Sequence, residues 1–230
     1  MGPFEVIKMS NITTEKANEL FWLGRYVERV YTTCMEFFKG YDRMIDEREV
    51  SYPEYCRRVS IPNVYADKED FLRSYPFDES NPDSIISNLI RAYDNAVVLR
   101  DDIGSDTLSY IQLAIYDMRK ASLGVAPLIG LQTVVDDLFA FWGCMDDRVV
   151  DYSERSIVKA ARRIERIDLY LRFGMPADTI SFELRRLENR IVRTGLEYDQ
   201  EAIPKLREML SRDPVPYGEA IELIESMVDV

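Results

Sequence analysis

The chain has 230 residues, with 29 Lys and Arg against 41 Asp and Glu, a formal net charge of −12 and no histidine. The lack of histidine excludes a Ser-His-Asp or Cys-His triad, a histidine zinc site and the Glu-x-x-His motif of di-iron bundles. The acidic balance argues against non-specific nucleic-acid binding, which needs a basic face to neutralise phosphates. With 47% hydrophobic and 30% charged residues, the composition is that of a globular protein. One domain over residues 1–230 is expected, large enough to bury roughly 70% of its unfolded surface.

Apolar residues at 20, 23, 27, 30, 31, 34, 37, 38 and 41 follow helical spacing, which predicts a helix over 14–44 opened by Thr13 or Thr14. Phe21, Trp22 and Tyr26 add apolar surface on its other sides, so neighbours should surround it. From 49 to 81 the pattern breaks. Pro53, Pro62 and Pro76, with Pro82 just beyond, leave room only for short helices at 52–59 and 68–75.

Asn81-Pro82-Asp83 reads as an N-cap followed by proline in the first turn, opening a helix to about 103. Further helices are expected at about 106–123, 127–150, 154–173, 176–194, 199–211 and 217–228, punctuated by Gly104, Gly174, Gly195 and Pro214. No run alternates with period two for long enough to argue a strand. The fold class is therefore all-α, a single antiparallel helical bundle with an irregular excursion at about 49–81.

Three widely spaced cysteines, Cys34, Cys56 and Cys144, suggest reduced thiols in a cytoplasmic protein rather than a disulfide framework. Cys34 falls on the apolar face of its helix and reads as a small core residue. The segment 1–12 does not read as a signal peptide. The longest uncharged run, Ala121–Val135, falls short of the ~20 residues that span a bilayer. No membrane association is expected.

One internal repeat stands out. Gly24-Arg25-Tyr26-Val27-Glu28-Arg29-Val30 aligns with Ala161-Arg162-Arg163-Ile164-Glu165-Arg166-Ile167. Both copies read small-Arg-x-aliphatic-Glu-Arg-aliphatic, as two helix hairpins related by an approximate two-fold would. Arg25, Glu28, Arg29 and Thr32 form a polar stripe on an otherwise apolar helix. Arg162, Glu165 and Arg166 repeat it, with Asp168 turned back toward the apolar face.

Arginine pairs with carboxylate in a fork, either along one helix or across two. Three readings follow. The stripes form a buried ion network that fixes helix register. Alternatively, they line a polar pocket for an anionic or zwitterionic ligand. In the third reading, Glu28, Glu165 and Asp168 hold a hard cation such as Mg²⁺, against the repulsion of the adjacent arginines. A fourth use, Glu28 or Glu165 as a general base, conflicts with flanking arginines that lower a carboxylate pKa.

Charge is uneven as well. The stretch 155–193 holds ten basic and five acidic residues, leaving −17 on the remainder. Such a stripe is either a solvated face opposite an acidic helix or a site for phosphate or an acidic partner. Asp101-Asp102, Asp136-Asp137 and Asp146-Asp147 resemble the Asp-rich helices that bind diphosphate through Mg²⁺, but none has the Asp-Asp-x-x-Asp spacing. Glycine-rich phosphate loops are absent, and no cofactor or resident metal is implied.

The segment Ala17-Asn18-Glu19-Leu20-Phe21-Trp22-Leu23-Gly24-Arg25-Tyr26-Val27-Glu28-Arg29 resembles the opening of the bacterial alpha-E family, a helical domain named for its Glu-Arg motif. Asn95 to Asp101, followed by Ser105 and Asp106, resembles the family's central Asn-Ala-x-x-Val-Arg-Glu segment and adds Arg100 to the candidates. Arg162 to Asp168 resembles its second Glu-Arg copy, with Ala161 in place of a glycine and Arg163 in place of an aromatic or aliphatic residue.

The resemblance implies an accessory role. Alpha-E domains are encoded beside, or fused to, circularly permuted ATP-grasp proteins, often with a transglutaminase-like protease. It therefore implies service to ATP-driven amide-bond formation on peptides or amino-acid-derived metabolites. The candidate ligand- or partner-binding set is Arg25, Glu28, Arg29, Arg100, Arg162, Glu165, Arg166 and Asp168; no catalytic residue is assigned. The alternative is a stand-alone enzyme acting on an aminoacyl or peptide substrate through the Glu/Arg site.

Overall fold

The computed structural model describes residues 12–45, 51–124 and 126–229. They form eleven helices among the described residues: α1 (Thr14–Ile45), α2 (Tyr52–Arg58), α3 (Lys68–Ser74), α4 (Ile85–Val98), α5 (Arg100–Ile103), α6 (Ser105–Ser122), α7 (Pro127–Arg148), α8 (Tyr152–Arg172), α9 (Ala177–Ile191), α10 (Ala202–Leu210) and α11 (Tyr217–Glu225). No strand occurs among these residues, so the fold is all-α. Residues 1–11 and the first two of the 49–81 excursion lie outside the described residues.

Side-chain caps account for several helix starts. Thr13 Oγ1 accepts from the Lys16 amide, Asp67 caps α3, and Asp151 takes the amides of both Ser153 and Glu154 at the start of α8, satisfying donors a helix leaves open. The fourth helix, α4, departs from the sequence reading. Its cap is Ser84, whose hydroxyl accepts from the Ser87 amide, while Asn81 uses its side chain on the Asp83 amide. An Asx turn thus occupies the residues that read as a cap. The same helix breaks at Leu99, which separates α4 from α5.

Adjacent hairpins are antiparallel. Gly130 of α7 meets Ala121 of α6, and at the other end Arg148 reaches Asp106. α1 lies antiparallel to α4, with Arg91 over Tyr26 and Asn95 at Glu19. α9 folds back on α8 through a turn closed by Gly174 at φ 65. The central pair differs: α1 and α8 run parallel. Lys16 meets Glu154, Gly24 meets Ala161 and Glu28 meets Arg166, so residue numbers rise together. A two-fold that relates two copies of one helix produces that arrangement when its axis runs along both.

The two helices touch where the repeat begins. A Cβ on Gly24 would sit 2.3 Å from the Val158 carbonyl oxygen and 3.0 Å from Ala161 Cβ. Only one of these facing positions needs to be bare, because the Ala161 methyl fills the notch that Gly24 leaves. On either side of the crossing, Leu20, Leu23, Val27, Val30, Ile157, Ile164 and Ile167 are buried. Cys34 joins them, and burial pushes its thiol up to about 12, as expected of a core residue.

The excursion is held by aromatic packing. Phe37 of α1 lies beside Phe71 and Tyr75, those two rings stack at 5.1 Å, and Tyr55 joins both. Aromatic pairs of this kind contribute roughly 0.5–1.5 kcal/mol each beyond burial. Beyond them, Ser60 Oγ accepts from Arg172 of α8. Of the described helices, only α7 is long and apolar enough to cross a membrane by length and composition; here it packs on α6, with Leu131, Val134, Leu138 and Phe141 buried.

Candidate functional site

Just past the crossing, the two polar stripes meet and exchange partners. Glu28 accepts from Arg162 Nε at 2.9 Å and Arg166 Nε at 2.5 Å, both on the other helix. Glu165 accepts from Arg25 Nε at 2.6 Å and Arg29 Nε at 2.5 Å. Each glutamate is gripped by two arginines from the opposite copy. The pairing runs across helices, not along them.

Both glutamates are fully buried. Burial alone would push Glu165 up, but the charges of Arg25 and Arg29 outweigh it and hold the carboxylate below its ordinary value. Thr32 adds a hydroxyl donor to Glu28 at 2.9 Å. Ring faces complete the shell: Arg162 lies 4.0 Å from the Trp142 centroid, Arg25 lies 5.5 Å from Trp22 and Arg166 5.4 Å from Tyr31. The geometry does not support the hard-cation reading, because the carboxylate oxygens already face guanidinium groups. It is equally unfavourable for either glutamate as a general base, since each is enclosed and fully engaged.

The two copies are not equal. Side-chain exposure is 9% for Arg25, 14% for Arg162 and 10% for Arg166, but 34% for Arg29. Arg166 also meets Glu183 of α9 at 3.5 Å. Arg29 has Glu165 alone within ion-pair distance among the described residues and opens into a cavity of about 200 Å³.

That cavity carries three arginines, Arg29, Arg91 and Arg172, and three carboxylates, Asp83, Asp168 and Glu225, with Thr33, Asn88 and Ser60 between them. Arg172 donates to Asp168 at 2.8 Å, to Glu225 at 2.5 Å and to Ser60 Oγ at 2.5 Å. Arg91 has no carboxylate within ion-pair distance among the described residues; it meets the Asn88 amide oxygen at 3.4 Å and the Tyr26 ring. Burial, and then the charge of Glu165, push Asp168 up to about 6 against the pull of Arg172 and Arg25. Ser60 sits at φ 57, a left-handed conformation uncommon outside glycine and concentrated at functional sites.

The structure thus sorts the sequence candidates. Arg25, Glu28, Arg162, Glu165 and Arg166 come together as an inner clamp, Arg29 joins clamp to cavity, and Asp168 lines the cavity. Arg100 stands apart: it is exposed on α5 and donates to Ser105 Oγ at 3.0 Å. Sequence reasoning missed Asn88, Arg91, Asp83 and Glu183. Glu183 and Asn88 carried a signal, since each interrupts an apolar face (Ile180, Leu184, Leu187; Ile85, Leu89, Ala92), and a buried polar group needs a partner.

These features define a helical bundle organised around two reciprocal Glu-Arg pairs. The chain belongs to the Alpha-E family, described as a predicted alpha-helical domain with a conserved ER motif, whose model matches residues 14–191. α10 and α11, the latter supplying Glu225, lie beyond the matched segment. No curated protein and no solved structure matches the chain.

Proposed function

We propose that the chain is a non-catalytic binding module whose cavity takes a small zwitterionic ligand, an amino acid or the end of a peptide. The observation that carries this reading is Arg29. Of four equivalent clamp arginines it alone is a third exposed, and it opens into a cavity whose charges are evenly mixed. The volume, about 200 Å³, lies below the roughly 300–1,000 Å³ of sites for drug-sized ligands, which favours something of amino-acid bulk over a nucleotide. Arg29 and Arg91 suit a ligand carboxylate as guanidinium forks, and Asp83, Asp168 and Glu225 suit its ammonium group.

Such a module serves a circularly permuted ATP-grasp amide ligase in the cytoplasm, with a transglutaminase-like protease as a further partner; support for this part is the resemblance described above. The test uses Ala-Ala, N-acetyl-Ala-Ala and Ala-Ala amide in calorimetric titrations of the full chain. The free dipeptide should bind, and each blocked form should bind about ten-fold more weakly. Arg91→Ala should abolish binding without unfolding the chain. Equal binding of all three peptides, or none of any, would overturn the reading.

A second reading, a stand-alone enzyme on an aminoacyl or peptide substrate, has one observation in its favour. Asp168 lines the cavity and is pushed up to about 6, near the range a general base needs. Turnover of an aminoacyl or peptide substrate by the isolated chain, lost in Asp168→Asn, would establish it. Absence of turnover in the presence of dipeptide binding would leave the module reading alone.

A further inference from the structure

The helical hairpin α8–α9 carries a second concave site, lined by residues of neither the Glu-Arg clamp nor the mixed-charge cavity. Lys159 and Arg163 stand one turn apart on α8. Arg186 and Arg190 stand one turn apart on α9, and Arg193 follows just past its end. The five side chains line one groove of about 270 Å³ together with Asn189. This is the basic stripe of the sequence folded against itself. A solvated face would spread its cations along the surface or pair each with an acidic neighbour; here they converge.

Counterions are too few. Lys159 pairs with Asp146. Arg163 and Arg186 share a single carboxylate, Glu183, at 2.6 and 3.5 Å, and Arg166 of the clamp draws on the same group. Arg190 and Arg193 have no carboxylate within ion-pair distance among the described residues; Arg193 lies 5.9 Å from the Tyr152 ring. The groove is therefore three charges short of neutrality within ion-pair reach, in a protein of net charge −12. Consistent with that excess, burial and the neighbouring Arg162, Arg166 and Arg186 bring Arg163 down to about 10 despite Glu183.

We infer that this groove is a binding site for an oligophosphate, a diphosphate or triphosphate group that bridges α8 and α9. A monocarboxylate would neutralise one charge of the excess, whereas a chain of two or three phosphates carries charge enough to meet all of it. Guanidinium forks and a lysine point charge are the groups that recognise such oxygens. Lys159 and Arg163 would hold the anion from one side, and Arg186, Arg190 and Arg193 from the other.

The experiment is calorimetric titration of the full chain with inorganic tripolyphosphate, beside citrate as a carboxylate of comparable charge. The test variant is Arg190→Ala/Arg193→Ala, which touches neither the clamp nor the zwitterion cavity. A charge-matched control, Arg185→Ala/Arg212→Ala, removes two cations outside the groove. Wild type and control should bind tripolyphosphate alike, the test variant should bind about ten-fold or more weakly, and added KCl should weaken binding by wild type. Dipeptide binding should be unchanged in the test variant, which keeps failure of this site distinct from failure of the cavity. Equal affinity of wild type and test variant, equal affinity for citrate, or no binding of tripolyphosphate by wild type would each overturn the assignment.

Discussion

Arg29 and Arg166 occupy the same place in two copies of one motif, yet their surroundings differ. Both donate Nε to a buried glutamate across the helix pair at 2.5 Å. Arg166 is then closed in by Tyr31 and Glu183, while Arg29 faces a cavity walled by the excursion and α4. The repeat presents the same chemistry twice. The elements laid over each copy decided which arginine is committed to structure and which remains available. The proposed function rests on where the repeat loses its symmetry.

The comparison breaks most severely at the enclosed copy. Arg166→Ala takes from Glu28 Oε1 its guanidinium partner in a dry space, leaving it the Thr32 hydroxyl, with Arg162 held on the other oxygen, and removing one partner of a buried ion pair costs about 3–5 kcal/mol. Urea unfolding should show that loss in the midpoint. Gly24→Ala tests the crossing that brings the copies together. Its methyl would lie 2.3 Å from a backbone carbonyl, and forcing the helices apart should cost about 3 kcal/mol. Ala161→Gly, the facing change, should cost only about 1 kcal/mol, the penalty of glycine in a helix. A thermal melt of the two variants separates contact from propensity.

Asp137 sharpens the comparison as a buried carboxylate without an arginine. Burial, followed by the charges of Asp117 and Asp136, raises it to about 6, and its Oδ2 has no hydrogen-bond partner. The raised value means the folded chain holds this proton more tightly than the unfolded one. Its contribution to stability is therefore greatest below about pH 4 and is lost as pH rises through 6. Asp137→Asn should raise stability at pH 7 by about 2 kcal/mol and flatten the pH dependence between 4 and 6. Circular dichroism melts across that range provide the check.

Much of this was legible in the sequence, and what was not has identifiable causes. Helical periodicity placed the long helices to within a few residues, and the two short helices of the excursion fell at 52–58 and 68–74, almost as proline spacing and apolar pattern required. The repeat identified every member of the clamp, since charges on an apolar stripe must find one another. It did not reveal that α1 and α8 are parallel, because periodicity gives the buried face of a helix and not the direction of its neighbour. Arg91 and Asp83 were invisible for the same reason: their place in the cavity depends on α4 lying against α1. The cap at Ser84 was hidden by Asn81, whose side chain suits an Asx turn as well as a helix start.

The most informative effect expected is a small one. Arg29→Ala opens a space already continuous with the cavity, so water can reach Glu165, which retains Arg25. Its cost should be about 1–2 kcal/mol, well under that of a dry buried pair. The decisive measurement is urea unfolding of Arg29→Ala and Arg166→Ala side by side. Loss of several kcal/mol in Arg166→Ala with a much smaller loss in Arg29→Ala is the predicted result. Equal losses would contradict it and place both arginines in the structural core.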